Sequence, residues 1–256
     1  MVPLGLVAQN LIQDGGAEGN LGNWDPDQVQ VTTETPHSGA NCFKTLKPVA
    51  QNSTIIEVDP AKSYELSGWV KSADDRQAKV KLALIPLDAN KAPINSAEIL
   101  AVPDTETELA EECKAQDTVV KVTDASNWQL NSEIDVIAFH AVDGYEDLPN
   151  RNISPLVKKV EKKGNVWELT LEQQCGTAYP AGTKIRKHQM GSTYMYPASI
   201  DRFQSNDWVE LTGKIKGLSE RGTTYGKFWA GTKYVQAAMV SLDGNVYFDD
   251  LNLEEK

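Results

Sequence analysis

The sequence predicts an all-β protein, a sandwich or barrel of short strands. Three features point there: apolar residues that alternate at period two, turn residues at short intervals, and chain ends that look complementary. The alternating stretches occupy 29–33, 53–58, 64–71 and 79–87. Thr35-Pro36-His37-Ser38-Gly39, Val58-Asp59-Pro60 and residues 72–76 supply the turns between them. Such spacing leaves no room for the crossover helices that a parallel sheet requires.

The texture changes over 113–187. Compact strands are predicted at 118–122, 133–139, 157–160 and 166–171, with a further one at 181–186. Gly164-Asn165 stands between two of these as a hairpin turn. So many short strands in so short a segment suit a small barrel-like β-subdomain inserted into a host sandwich, because loop tips tolerate insertions. The organisation read from the sequence is a host domain of residues 1–108 and 188–256, with residues 109–187 as the insert. The acidic run 104–112 marks the junction and is read as one helical turn. After the insert, 207–215 and 233–242 resume the alternation, and 246–253 forms the closing strand.

The two ends carry the sharpest chemical signal. Asn10-Leu11-Ile12 is a short apolar strand that breaks at Gly15-Gly16 and delivers one carboxylate, Glu18. The closing strand is aromatic and aliphatic but is interrupted by Asp249-Asp250. Adjacent acids inside an apolar strand cost free energy unless something positive lies beside them. Hard oxygen ligands from two separate segments are what Ca²⁺ takes. The candidate metal ligands are therefore Gly16, through its carbonyl, Glu18, Asp249 and Asp250, with help from the turn at His37-Ser38-Gly39.

These pieces, in this order, resemble the jelly-roll carbohydrate-binding modules of families four, nine and twenty-two, which are appended to secreted glycan-degrading enzymes. The resemblance rests on residues 10–18, Trp24, His37-Ser38-Gly39, Tyr64-Glu65-Leu66-Ser67-Gly68-Trp69-Val70-Lys71 and 246–253. It covers roughly residues 8–100 and 205–256, and the middle of the chain lies outside it. It implies a jelly-roll β-sandwich, a structural Ca²⁺ for which Asp249 is the favoured strand ligand, and a polysaccharide or oligosaccharide as partner. Ala17 and Gly16 depart from the family pattern, which commonly has an aromatic and a polar residue there; a backbone ligand survives both changes.

Strand alternation separates core from surface. Along 64–71, Tyr64, Leu66, Gly68 and Val70 form the core face, so Glu65, Ser67, Trp69 and Lys71 point outward. Along 79–85, Val80, Leu82 and Leu84 are core, leaving Lys79, Lys81 and Ala83 outside. Along 208–215, Val209, Leu211 and Ile215 point in, with Trp208, Glu210, Thr212 and Lys214 out. A flat ring amid hydroxyls and charges suits a pyranose, so Trp69, Lys71, Lys81 and Glu210 are candidate ligand residues on one outer face. The alternative is that Trp69 and Trp208 are covered and serve as secondary core. A second aromatic group, Tyr194, Tyr196 and Trp229 with Tyr225 and Phe228, lies on loops rich in small polar residues and either recognises ligand or pins those loops. Gln236 is a further hydroxyl partner.

Composition narrows the rest. With 36 acidic against 25 basic residues, the net charge of −11 argues against nucleic acid and anionic membrane surfaces. No run approaches a membrane-spanning length. Residues 1–8 are too short for a complete signal peptide, so a secreted or cell-surface location implies a processed form. Cys42, Cys113 and Cys175 make no disulfide framework, and pairing of Cys113 with Cys175 stays open. His37, His140 and His188 fall in different segments, and no nucleophile, zinc or phosphate-loop motif is present. The expectation is a monomeric, non-catalytic polysaccharide-binding module, part of or partner to a secreted polysaccharide-degrading enzyme. The alternatives are a structural or adhesive surface domain, or a small jelly-roll glycoside hydrolase or lyase with Glu210 as its carboxylate.

Overall fold

The computed structural model describes residues 9–256; the signal-peptide reading of residues 1–8 lies outside them. In chain order the strands are β1 (Val29–Thr32), β2 (Cys42–Thr45), β3 (Val49–Gln51), β4 (Ile56–Glu57), β5 (Ser63–Ser72), β6 (Ala78–Leu87), β7 (Thr107–Glu108) and β8 (Val119–Val122). They continue as β9 (Asp135–Phe139), β10 (Val157–Lys163), β11 (Val166–Leu171), β12 (Lys184–Gln189), β13 (Met195–Phe203), β14 (Val209–Lys216), β15 (Tyr234–Leu242) and β16 (Val246–Glu255). One helical turn, α1 (Ser96–Ile99), follows β6.

Two antiparallel sheets form the jelly-roll sandwich. The first runs β1-β2-β16-β5-β14 and the second β13-β6-β15-β3, with β4 also paired to β15. Their inner faces meet in one core that holds Leu66 and Val70 of β5, Val80, Leu82 and Leu84 of β6, Met239 of β15 and Phe248 of β16. The period-two pattern of β5 is the cause: each second side chain leaves water, and a fully buried residue of this size contributes about 1.5–3 kcal/mol. Trp24, Phe43 and Phe248 pack at centroid distances of 5.5, 5.1 and 5.0 Å, so the early aromatic is tied directly to the closing strand.

The chain ends meet. Leu11 N–H donates to Leu253 O at 2.8 Å and Leu251 N–H to Gly15 O at 2.9 Å. The first segment thus lies along β16, although it adds no regular strand. A bulge in β16 between Asp249 and Asn252 places Asp250 at φ 50° and frees it from the ladder, while Asp249 stays opposite Trp69. Gly68 of β5 sits beneath this bulge, where a Cβ would come within 2.8 Å of Leu251 Cδ1.

Residues between α1 and β13 build separate sheets, β10-β11-β8 and β7-β12-β9. They enclose a second apolar cluster that includes Val120, Val122, Phe139, Leu169 and Ile185, together with Cys113 and Cys175, which are free thiols. The two-residue turn at Gly164-Asn165 joins β10 to β11 with Lys163 opposite Val166, as its sequence predicts. The run 104–112 is not helical: β7 lies inside it, and the helical turn stands earlier, at α1. The reason is local, since Asn95 and Glu98 form a capping box, the side chain of each accepting from the other's backbone N–H.

The chain enters and leaves this region side by side. Val102 N–H donates to Lys187 O at 2.9 Å and Gln189 N–H to Leu100 O at 3.0 Å. Buried charges line the crossing, each with a partner: Arg186 on Asp147 at 2.8 Å and Lys187 on Asp135 at 3.3 Å. His188 is fully buried beside them.

Candidate functional site

The outer side of the second sheet brings together four of the candidate residues, Lys81, Tyr194, Tyr196 and Gln236. Its strands turn Val80, Leu82 and Leu84 into the core, so Lys81, Ala83 and Ile85 of β6 face away from it. On β15, Gln236 lies opposite Ile85, Ala238 opposite Ala83 and Val240 opposite Lys81; Ala238 also lies opposite Gln51 of β3. The paired alanines are fully buried in an apolar cluster with Ile85 and Val240, against which Tyr194 and Tyr196 pack from the β13 side, their ring centroids 6.1 Å apart and planes inclined by 38°.

Neighbours hold these rings in place. Gln51 Nε2 donates to Tyr194 Oη at 3.3 Å, Ser192 Oγ donates to Tyr196 Oη at 2.9 Å, and Lys81 Nζ lies 4.3 Å from the Tyr196 centroid. Gln236 Nε2 donates to Ser53 O at 3.0 Å, which leaves its carbonyl oxygen without a protein donor among the described residues. A cleft of about 260 Å³ is bounded by Gln51, Ile85, Pro93, Ile94, Asn95, Thr193, Tyr194 and Gln236. A smaller hollow of about 130 Å³ lies beyond Tyr194, against Ser192, Tyr196, Thr224 and Tyr225. Tyr194 is the wall common to both.

The candidates read from the sequence therefore divide between opposite faces of the sandwich. Lys81, Tyr194, Tyr196 and Gln236 share the second sheet. Trp69, Lys71 and Glu210 belong to the first, where Glu210 pairs with Trp69 across β14 and β5. One face bearing Trp69, Lys81 and Glu210 together does not exist, because alternation reports the side of a strand but not the sheet it joins. Trp69 is half-buried: the His37 imidazole stacks on it at 4.0 Å and 17°, and Trp208 approaches His37 edge-on at 5.5 Å. Lys71 Nζ is engaged with Thr35 Oγ1 at 2.7 Å. Trp229 and Phe228 are core residues, at 2% and 0% exposure, whereas Tyr225 is 72% exposed. Gln51 and Asn95 were not singled out from sequence, and Ala83, read there as outward, is fully buried.

Glu18, Asp249 and Asp250 each bond the turn of residues 37–41 at the meeting of the ends, and Gly16 borders the two aspartates. Asp249 Oδ2 accepts from His37 N–H at 3.1 Å and Ser38 N–H at 3.3 Å. Asp250 Oδ2 lies 2.8 Å from His37 Nδ1, and Asp250 Oδ1 accepts from Ser38 Oγ at 2.9 Å. Glu18 Oε1 accepts from Ala40 N–H at 2.8 Å and Asn41 N–H at 3.0 Å. A Cβ on Gly16 would stand 3.6 Å from a carboxylate oxygen of each aspartate, so its backbone borders both. At Gly39, φ is 60° and a Cβ would strike Glu18, so the turn requires glycine there. Burial, and secondarily the adjacent Asp250 charge, holds the Asp249 carboxyl above the usual range. No lysine or arginine pairs with these three acids among the described residues. The donor chemistry suits a hard cation. Among the described residues no three acidic, His or Cys side chains converge on one point, so an ion would complete its shell from backbone carbonyls.

Another cavity, of about 370 Å³, lies in the middle region between Glu106, Glu108, Asp124, Asp143 and the apolar residues Ala141, Val142 and Ile185. It presents no aromatic ring, so it lacks the stacking surface that the second sheet has.

A family model described as a carbohydrate binding domain matches residues 9–128, slightly less than half of the chain. The match runs from the Asn10 segment through β6 and α1 and continues past β8, into the middle region. No curated protein matches the sequence. Among solved structures, the chain is similar to the CBM22-1–GH10 modules of the Clostridium thermocellum endo-1,4-β-D-xylanase 10B, complexed with xylohexaose, at 11% identity over 98% of this chain and 29% of that one, TM-score 0.43. It is also similar to the enzymatically active domain of bacteriophage CBA120 tailspike protein 4, at 9% identity over 96% and 21%, TM-score 0.40. A third is TmCBM61 in complex with β-1,4-galactotriose, at 11% identity over 97% and 100%, TM-score 0.37. The chain spans less than a third of the first two. At this distance the likenesses say nothing about ligand.

Proposed function

We propose that this protein is a non-catalytic polysaccharide-binding module and that the outer face of the second sheet receives the glycan. The observation that carries the reading is the half-buried Tyr194 ring walling a cleft of about 260 Å³, with the Gln51 and Gln236 amides beside it. A tyrosine ring covers the apolar face of a pyranose, the cleft leaves room for it, and the amides reach its hydroxyls. Because the surface is held by sheet and side-chain hydrogen bonds, little ordering is required on binding.

Tyr194→Ala is expected to weaken binding of a soluble polysaccharide about thirtyfold, the effect of losing about 2 kcal/mol at one well-packed contact, with the melting temperature nearly unchanged. Affinity electrophoresis against xylan, galactan and β-glucan measures this. Unchanged mobility for Tyr194→Ala together with loss for Trp69→Ala would move the site to the first sheet. Residues 109–187 act as an inserted β-subdomain in a host of residues 1–108 and 188–256. The module works as a single chain outside the cell, beside or within a polysaccharide-degrading enzyme.

The cluster at the meeting ends holds a structural Ca²⁺ in this reading. Glu18, Asp249, Asp250 and the Gly16 carbonyl would hold it, and it would supply the positive charge that the buried Asp249 lacks. A ligand that binds only the folded state at a hundred times its dissociation constant stabilises by about 2.7 kcal/mol. Chelation is therefore expected to lower the melting temperature by roughly 5–10 °C, and added Ca²⁺ to restore it. Calorimetry decides: identical curves with chelator and with Ca²⁺ remove the ion.

A further inference from the structure

Arg151 lies in the middle region, between β9 and β10, far in sequence from the cleft. Its guanidinium reaches back to three points on the segment that follows β6. Nη1 donates to Pro93 O at 2.7 Å and to Glu98 Oε2 at 2.5 Å, and Nη2 donates to Asp88 Oδ2 at 2.7 Å. The segment it grips is the cleft wall, since Pro93, Ile94 and Asn95 line the glycan-sized hollow beside Tyr194 and Gln236.

Each partner also organises that wall. Asp88 Oδ1 accepts from Asn90 N–H at 2.9 Å and Ala92 N–H at 3.0 Å, which shapes the turn. Glu98 accepts from Asn95 N–H at 3.1 Å and from Asn95 Nδ2 at 3.3 Å. One planar fork thus fixes both ends of the wall and, through Glu98, the orientation of the Asn95 amide. Lysine, a point charge on a flexible stem, does not reproduce such a fork.

We infer that Arg151 is a positioning residue for the glycan cleft, through which the middle region sets the Pro93–Asn95 wall. This rests on the reading of the second sheet's outer face as the glycan site. It gives the middle region a role in ligand selection without a contact of its own.

The test uses the full chain and the variants Arg151→Ala, Arg151→Lys and Glu98→Gln. Hydrogen exchange without ligand is expected to speed up at the amides of residues 90–95 in Arg151→Ala, while β5 and β16 keep their protection. Melting temperature is expected to move by less than about 3 °C, because the pair is partly exposed. Affinity for the soluble xylan, galactan or β-glucan that the wild type binds is expected to fall about tenfold in Arg151→Ala, with no rescue by Arg151→Lys and a comparable loss in Glu98→Gln. Unchanged exchange at 90–95, or wild-type affinity in Arg151→Lys, overturns the inference. Faster exchange in a protein whose wild type binds none of the three polymers instead overturns the glycan reading and leaves the wall-setting role standing.

Discussion

Replacing Trp229 with alanine is expected to destabilise the protein by about 3–5 kcal/mol and to lower its melting temperature by roughly 10 °C. The ring is almost fully buried in the main core, in the same cluster as Phe228 and Met195. Truncation removes its transfer free energy and leaves a void that the surrounding sheets can only partly close, which sets the size of the effect. Thermal unfolding read by circular dichroism, with glycan affinity measured well below the transition, separates the two roles open to this residue. A lost affinity with an unchanged melting temperature would make Trp229 a ligand platform and would contradict its burial.

Acid is expected to remove on the order of 3 kcal/mol of stability between pH 6.5 and pH 4, through one histidine. Burial, aided by the Arg186 charge, pushes His188 down to about 4, from a value near 6.5 in the unfolded chain. The hydrogen bonds fix the neutral form. Nδ1–H donates to Ala97 O at 2.7 Å, which leaves Nε2 to accept from Arg186 Nε–H at 3.1 Å. A proton on Nε2 would face the guanidinium. Below pH 6.5 the unfolded chain therefore binds a proton that the folded chain refuses, and stability falls until about pH 4. Asp74, held down to about 2 chiefly by its Arg76 hydrogen bond, loses its contribution only at lower pH. Asp249, with its raised value, shifts in the opposite sense and offsets part of the loss. Urea unfolding at pH 7, 6, 5 and 4 measures the slope, which His188→Gln is expected to flatten. An equal slope in both proteins assigns the acid response elsewhere.

Local rules in the sequence carried much of the sandwich. Alternation placed Leu66 and Val70, and Val80, Leu82 and Leu84, on the inner face because period two is a property of each strand alone. The glycine-asparagine turn at 164–165 and the partnership of Asn10 with the Asp249 strand were legible for the same reason: each is written in a few contiguous residues. Sheet membership was not. Trp69 and Lys81 both point outward, yet toward opposite sides of the molecule, and that depends on which distant strands pair. Phe228 and Trp229 lie outside any regular strand, so no periodicity announces their burial. The helical turn at 96–99 was readable after all, from Asn95 and Glu98 at capping-box spacing, but the acids of 104–112 drew the assignment instead. Of the site, the ring-bearing residues Tyr194 and Tyr196 stood out by composition. Gln51 and the clamp from Arg151 exist only once residues far apart in the chain are folded together.

The stem through which the middle region departs and returns is only two neighbouring chain segments wide, about 4.8 Å across. The two apolar clusters are built from different side chains, so the sandwich assembles its core without any from the middle region. Where the two regions touch, polar side chains bridge them: Arg151 with Asp88 and Glu98, and Arg221 with Tyr145.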